Sequence, residues 1–189
     1  MLNGNKGITI DGVQHPRAIY TLWTEAERNA IGIYTVEYDN SNKKDEKWYI
    51  NTNQSYAFGS GKVTATYGTA TAKAHADTLY TAQDETDGLG TEGELKSRGL
   101  KYKLIQDVKL EAANELAKTD WYVVRKSEES TAIPSAITTH RRLVRTKAAA
   151  METSITNASD TPALETLYTY TTDSDGVHSR PLGEIPTLD

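Results

Sequence analysis

Two runs of apolar residues at helical spacing, parted by a break that ends in a proline, constrain this chain more than any other feature. Leu100, Leu104, Val108, Ala112 and Leu116 recur every four residues, which places them on one stripe of an α-helix. Ile137, Val144, Ala148, Met151 and Ile155 share one face of a second helix. Between the two runs, Thr119 or Asp120 offers an N-cap for a short helix that starts at Trp121. Pro134 disfavours αR at Ile133 and suits the first turn of the next helix. The pattern predicts helices over about 94–118, 120–128 and 134–157, and Asp160-Thr161-Pro162 starts another over 161–170. Residues 94–170 therefore read as a helical hairpin or bundle, with Trp121 as its anchor. Arg141 and Arg145 lie one turn apart on a face beside the apolar one.

Residues 1–69 have a different grain. Ile8-Thr9-Ile10 and Val13-Gln14-His15 flank Asp11-Gly12, a two-residue hairpin signal. Thr24 and Glu27 form a capping box for a helix through Ala30, which Gly32 closes. Short strands are expected over Ile33–Tyr38, Trp48–Ile50, Ser55–Phe58 and Val63–Tyr67, with turns at Asn51-Thr52-Asn53 and Gly59-Ser60-Gly61. These make an antiparallel β-meander with one short helix. Residues 70–93 are small, polar and acidic and read as a glycine-containing linker, with room for a short helix near Ala74 to Tyr80. Residues 171–189, with Pro181 and Pro186, read as an extended tail, either flexible or laid on a partner. The expected class is α+β.

Composition narrows the chemistry. The 11 tyrosines against one phenylalanine suit a modest core with much wetted or interfacial surface, since tyrosine buries a ring and keeps a polar tip. A formal charge of −5 argues against a nucleic-acid or anionic-membrane binder. With no cysteine, disulfides, thiolate metal sites and Cys–His pairs are impossible. Met1 to Gly7 carries no apolar leader and no apolar run reaches membrane-span length, so a soluble protein made in a cytoplasm is expected. Gly88-Leu89-Gly90-Thr91-Glu92-Gly93 fits G-x-G-x-x-G, but Asp84, Glu85, Asp87 and Glu92 would repel a pyrophosphate. The same loop half-fits a calcium loop with Glu85, Asp87 and Glu94 as ligands, yet Gln83 stands where Asp is required. An acidic solvated loop is the plainer reading. His15, His75, His140 and His178 have no metal-ligand spacing. Nothing forms a catalytic constellation, so neither an enzyme nor a cofactor is expected. The basic run at His140, Arg141, Arg142 and Arg145 lacks interleaved aromatics. Its arginines are expected to pair with carboxylates across the hairpin or at a subunit contact.

The order Leu116-Ala117-Lys118-Thr119-Asp120-Trp121, then Pro134, then His140-Arg141-Arg142-Leu143-Val144-Arg145 resembles the C-terminal motif of tail-assembly-chaperone-like and tail-fibre-associated proteins of tailed bacteriophages. That pattern has Leu-x-x-Thr/Ser-Asp-Trp, a proline about a dozen residues on, and Tyr-Arg-x-x-Leu/Val-Arg. His140 stands here in place of Tyr, and Val144 in place of the usual Leu. The stretch from Leu22 to Val36 is similar to the short helix followed by Gly-Ile-Tyr that opens many phage tail and fibre-adjacent proteins. The resemblance implies a virion tail component at the baseplate or fibre attachment, or else an assembly chaperone that leaves. It implies tail or fibre proteins and further copies of the chain, as a homo-oligomer, for partners. It also implies Asp120, Trp121, Pro134, His140, Arg141 and Arg145 as interaction or structural anchors. A third reading is host-surface recognition through a sugar platform of Trp48, Tyr49 and Tyr56.

Overall fold

The computed structural model describes residues 6–52 and 54–188. Most of the expected leaderless start, residues 1–5, lies outside the described residues, as does Asn53 of one expected turn. The chain is α+β and divides into two compact units, residues 1–71 and 72–189.

In the first unit, β1 (Ile8–Ile10) and β2 (Val13–His15) pair antiparallel around Asp11 and Gly12. Both turn residues have positive φ, 49° and 81°, the backbone twist that matches a two-residue turn to its flanking strands. After Pro16, α1 (Ile19–Leu22) buries Ile19. This is a second short helix where one was expected. In α2 (Glu25–Ala30), Thr24 Oγ1 accepts the Glu27 N–H while Glu27 Oε2 accepts the Thr24 N–H at 2.7 Å, and Gly32 at φ 78° ends the run. Strands β3 (Val36–Asp39), β4 (Tyr49–Ile50), β5 (Ser55–Gly59) and β6 (Lys62–Thr66) follow, and three of them form one sheet in the order β3-β6-β5.

This sheet corrects the expected antiparallel meander. β5 and β6 are an antiparallel hairpin, but β3 runs parallel to β6. The segment between β3 and β5 carries the chain past the slot beside β3, and the hairpin then fills that slot with its returning strand. A parallel pair needs a long crossover of this kind. The register aligns Val36, Val63 and Phe58 in one row and Tyr38, Ala65 and Tyr56 in another, so one sheet face is apolar. Trp48 and Tyr49 are buried, which leaves only Tyr56 of the expected sugar platform open.

The second unit begins within β7 (Thr71–Ala72). Residues 70–93 are not a bare linker. β8 (Thr78–Leu79) pairs with β9 (Leu95–Ser97), and α3 (Ala82–Thr86) comes between them, so a strand stands where a helix had room. Thr81 and Asp84 build a second capping box, and Lys96 holds Asp84 at 2.6 Å. The Lys96 bond, with the Thr81 N–H and O–H, pulls the Asp84 carboxyl down to about 2. Gly88 and Gly93 take positive φ, and a side chain on Gly90 would strike the Tyr80 ring. These glycines serve turns and packing, and a helix rather than a strand precedes them.

This excursion caps α4 (Leu100–Ala117). The N–H of Gly99 donates to Asp77 Oδ1 at 2.8 Å, and those of Leu100 and Lys101 donate to the Ala74 and His75 carbonyls. Donors at the start of the helix, which have no partner inside it, are thereby satisfied. Gly99 is required there, because a Cβ would lie 2.3 Å from the Ala76 backbone.

After α5 (Asp120–Glu129) comes α6 (Ser135–Asn157), which packs on α4, and then α7 (Thr161–Tyr168). Lys101 reaches the Thr156 carbonyl, Lys109 pairs with Glu152, and Glu115 meets His140, so α4 and α6 run antiparallel. Leu104, Val108 and Ala112 are buried on one helix, and Ile137, Val144, Ala148, Met151 and Ile155 on the other. The tail is neither free nor wholly extended. β10 (Thr171–Thr172) and β11 (His178–Ser179) form a hairpin, and the strap after it buries Leu182 and Ile185. Arg180 lies against the rings of Tyr168 and Tyr170, and the Leu182 N–H donates to the Leu167 carbonyl.

Gly99→Ala is expected to cost about 1–3 kcal/mol through overpacking, read from the urea unfolding midpoint. A wild-type midpoint would mean that the excursion before α4 does not hold the helix.

Candidate docking site

Two of the residues singled out, Asp120 on α5 and Arg141 on α6, meet at the end of α4 around one guanidinium. Arg141 is 7% exposed. Its Nη1 donates to the Leu116 carbonyl at 2.8 Å and to Thr119 Oγ1 at 2.7 Å, and its Nη2 pairs with Asp120 Oδ1 at 2.8 Å. The Leu116 carbonyl belongs to the last turn of α4, where carbonyls lack intrahelical partners and a cation is favoured. Thr119 is buried and donates its own hydroxyl to the same carbonyl. Asp120 opens α5. Arg141 thus ties the end of one helix, the joint after it and the start of the next to α6.

A second polar cluster adjoins the first. Glu115 is 5% exposed on the packed side of α4. Its Oε1 faces His140 Nε2 at 3.1 Å and accepts the Leu188 N–H at 2.9 Å, while Lys118 Nζ donates to its other oxygen. A carboxylate only accepts hydrogen bonds, so the proton in the Glu115–His140 bond sits on Nε2. The Lys118 ammonium first, then the Leu188 N–H, hold the Glu115 carboxyl below its ordinary range against the opposing effect of burial.

On this base stands α5, none of whose residues is buried. Trp121 is 51% exposed, and Val123 and Val124 are exposed beside it. Trp121 is therefore not the core anchor that its position suggests, and Arg141 holds that place. The Trp121 and Tyr122 rings lie 3.8 Å apart, with the Arg125 guanidinium 4.7 Å from the first ring and 5.4 Å from the second. Stacking of this kind holds an exposed ring in place and lessens the entropy it loses on binding. α5 ends on Ser130 in the left-handed region at φ 58°. Pro134 sits one place earlier than expected, as the N-cap of α6, and its carbonyl accepts the Thr138 N–H.

The structure brings Asp120 and Arg141 into contact, sets His140 beside them on Glu115, and puts Trp121 on the surface. Arg145 is exposed, unlike Arg141. Glu115 and Leu188 carry contacts that sequence patterns did not single out, while Thr119, an expected N-cap, stands before α5 without a side-chain cap bond and serves Arg141 instead. Glu115 had left a signal: it falls three residues after Ala112 on the buried stripe, and a charged residue there implies a buried partner. Among the described residues no group of three or more His, Asp or Glu side chains could hold a metal ion. Glu85, a half-match for a calcium ligand, accepts the Glu92 N–H, and Gln83 and Asp87 bond to each other.

No family model, curated protein or solved structure matches this chain.

Replacing Arg141 by Met should lower stability by about 2–4 kcal/mol, since charge-assisted bonds to a buried carbonyl and hydroxyl are lost. Amide exchange should rise first at the joint between α4 and α5. Glu115 gives a pH test. Its folded pKa is depressed, so its stabilisation is complete above the ordinary value of 4.5 and is lost as pH falls through the folded value. Protection of the Leu188 amide should fall across that acidic window in the wild type and be low at every pH in Glu115→Ala. A Leu188 amide insensitive to both changes would contradict the assignment.

Proposed function

We propose that this chain is a structural component of a tailed-phage virion, placed in the tail at the baseplate or fibre attachment, and that it works by docking. Two things support the reading. The order of Asp120, Trp121, Pro134, Arg141 and Arg145 resembles that of tail-assembly and tail-fibre-associated proteins. The carrying observation is α5, a helix with an open Trp121, Val123 and Val124 on a base locked by Arg141. Such side chains on a pre-set helix suit protein contacts, where a few aromatic anchors supply most of the affinity. The partners in this reading are other tail or fibre proteins and further copies of the chain. Its β-rich front, helical hairpin and strapped tail are docking parts, and no bond is made or broken.

Trp121→Glu tests the docking helix. Because Trp121 stands half in solvent, the change should alter stability by no more than about 1 kcal/mol, yet exclude the chain from assembled particles. Mass spectrometry of purified virions reads the result. Stoichiometric presence of the wild type and loss of the variant agree with a structural part. Absence of the wild type from particles, with capture on newly made fibre or tail protein, would instead assign the chaperone role. Normal incorporation of Trp121→Glu would remove α5 from the contact.

A further inference from the structure

The apolar face of the β3-β6-β5 sheet leaves Tyr38 and Phe58 half in solvent, and sheet residues form part of an open cleft of about 520 Å³ within the first unit. The cleft is lined by Val36 and Val63 with the rings of Tyr20, Tyr34 and Tyr56, and by Arg28. Its volume falls within the roughly 300–1,000 Å³ of small-ligand sites. α2 delivers Arg28, whose Nη1 donates to the Trp23 carbonyl at 2.6 Å. That bond steadies the guanidinium and uses only part of its fork. Two acids near Arg28 in the sequence are engaged elsewhere, Glu27 with Thr24 and Glu37 with Lys62.

These features select a ligand by exclusion. A neutral apolar molecule would cover Arg28 without giving it a partner, which carries a desolvation cost. A polyanion would find one cation among aliphatic and phenolic walls. A neutral sugar would lay hydroxyls against Val36 and Val63. A single carboxylate can take two parallel N–H bonds from a guanidinium, and an apolar ring behind it would fill the rest.

We propose that this cleft, with Arg28 set among Tyr20, Tyr34 and Tyr56, binds a single carboxylate carried on a flat apolar body. The carboxylate can come from a free small acid or from the C-terminal residue of a peptide, since both present the same chemistry. The assignment does not depend on the docking role of α5, which belongs to the other unit.

The test is ligand-observed and protein-observed NMR on the full chain at millimolar benzoate, with benzamide as the neutral control of the same shape. A blocked dipeptide ending in Phe, with a free or an amidated C-terminus, forms a second pair. Benzoate should shift the resonances of Tyr34, Tyr56 and Val63, and benzamide should bind roughly tenfold more weakly. Arg28→Gln, which keeps a donor for the Trp23 carbonyl, should abolish that difference. Binding of the free-acid peptide above benzoate, lost on amidation, would support the cleft and name a peptide end as the source. Equal binding by benzoate and benzamide in the wild type, shifts confined to residues outside the cleft, or no binding by either carboxylate would overturn the proposal without reliance on any variant.

Discussion

The second unit depends on how α4 ends. A helix leaves its last carbonyls without partners, and a buried end must find donors or fray. Here Thr119 donates to the Leu116 carbonyl, and Arg141 on α6 adds a guanidinium that takes that carbonyl, the Thr119 hydroxyl and the Asp120 carboxylate together. A lysine could not do this, since a single ammonium cannot span three acceptors in a fixed plane as a guanidinium does. The Asp120 partner stands mostly in solvent, so its attraction is screened and contributes modestly. The buried carbonyl and hydroxyl bonds carry most of the effect. With that joint fixed, the direction of α5 is fixed, although α5 buries none of its own residues.

Glu115 gives the same region a second tie, to the tail. Strap residues Leu182 and Ile185 are buried, and the Leu188 amide ends on the Glu115 carboxylate. Apolar burial gives the strap its affinity but little register, because the hydrophobic effect is not directional. The bond to Glu115 supplies register. A buried carboxylate is costly unless its oxygens are satisfied, and here His140, Lys118 and Leu188 together satisfy them.

What is legible in the sequence is what a few consecutive residues decide. The Asp11-Gly12 turn, the Thr24–Glu27 box and the helix breaks near Thr119 and Pro134 each depend on local backbone preferences. The stripe from Ile137 to Ile155 is legible because helical period is set within the segment itself. The corrections concern choices made between distant residues. Whether β3 pairs parallel or antiparallel depends on where the crossover lands, and the composition of β3 is the same in either case. Residues 70–93 read as a linker because they hold few apolar groups, yet their backbone carbonyls and Asp77 cap α4, a role that needs no apolar residue. Residue type alone puts Trp121 in the core. Its exposure follows from Arg141 filling the joint beneath, which no spacing announces.

The contrast between Arg141 and Arg28 shows how the same side chain serves different ends. Arg141 is sealed and three acceptors use its fork, so it has nothing left to offer a ligand. Arg28 is less buried, is steadied by one carbonyl, and lines an aromatic cleft. A steadied but incompletely paired guanidinium serves a binding site better than a free one, because less side-chain freedom is lost when a carboxylate arrives. The same logic applies to Trp121, held by Tyr122 and Arg125 before any partner is present. In each unit, then, a side chain that reaches solvent is held by a bond or a stacked ring beside it, and those contacts decide where the surface group points.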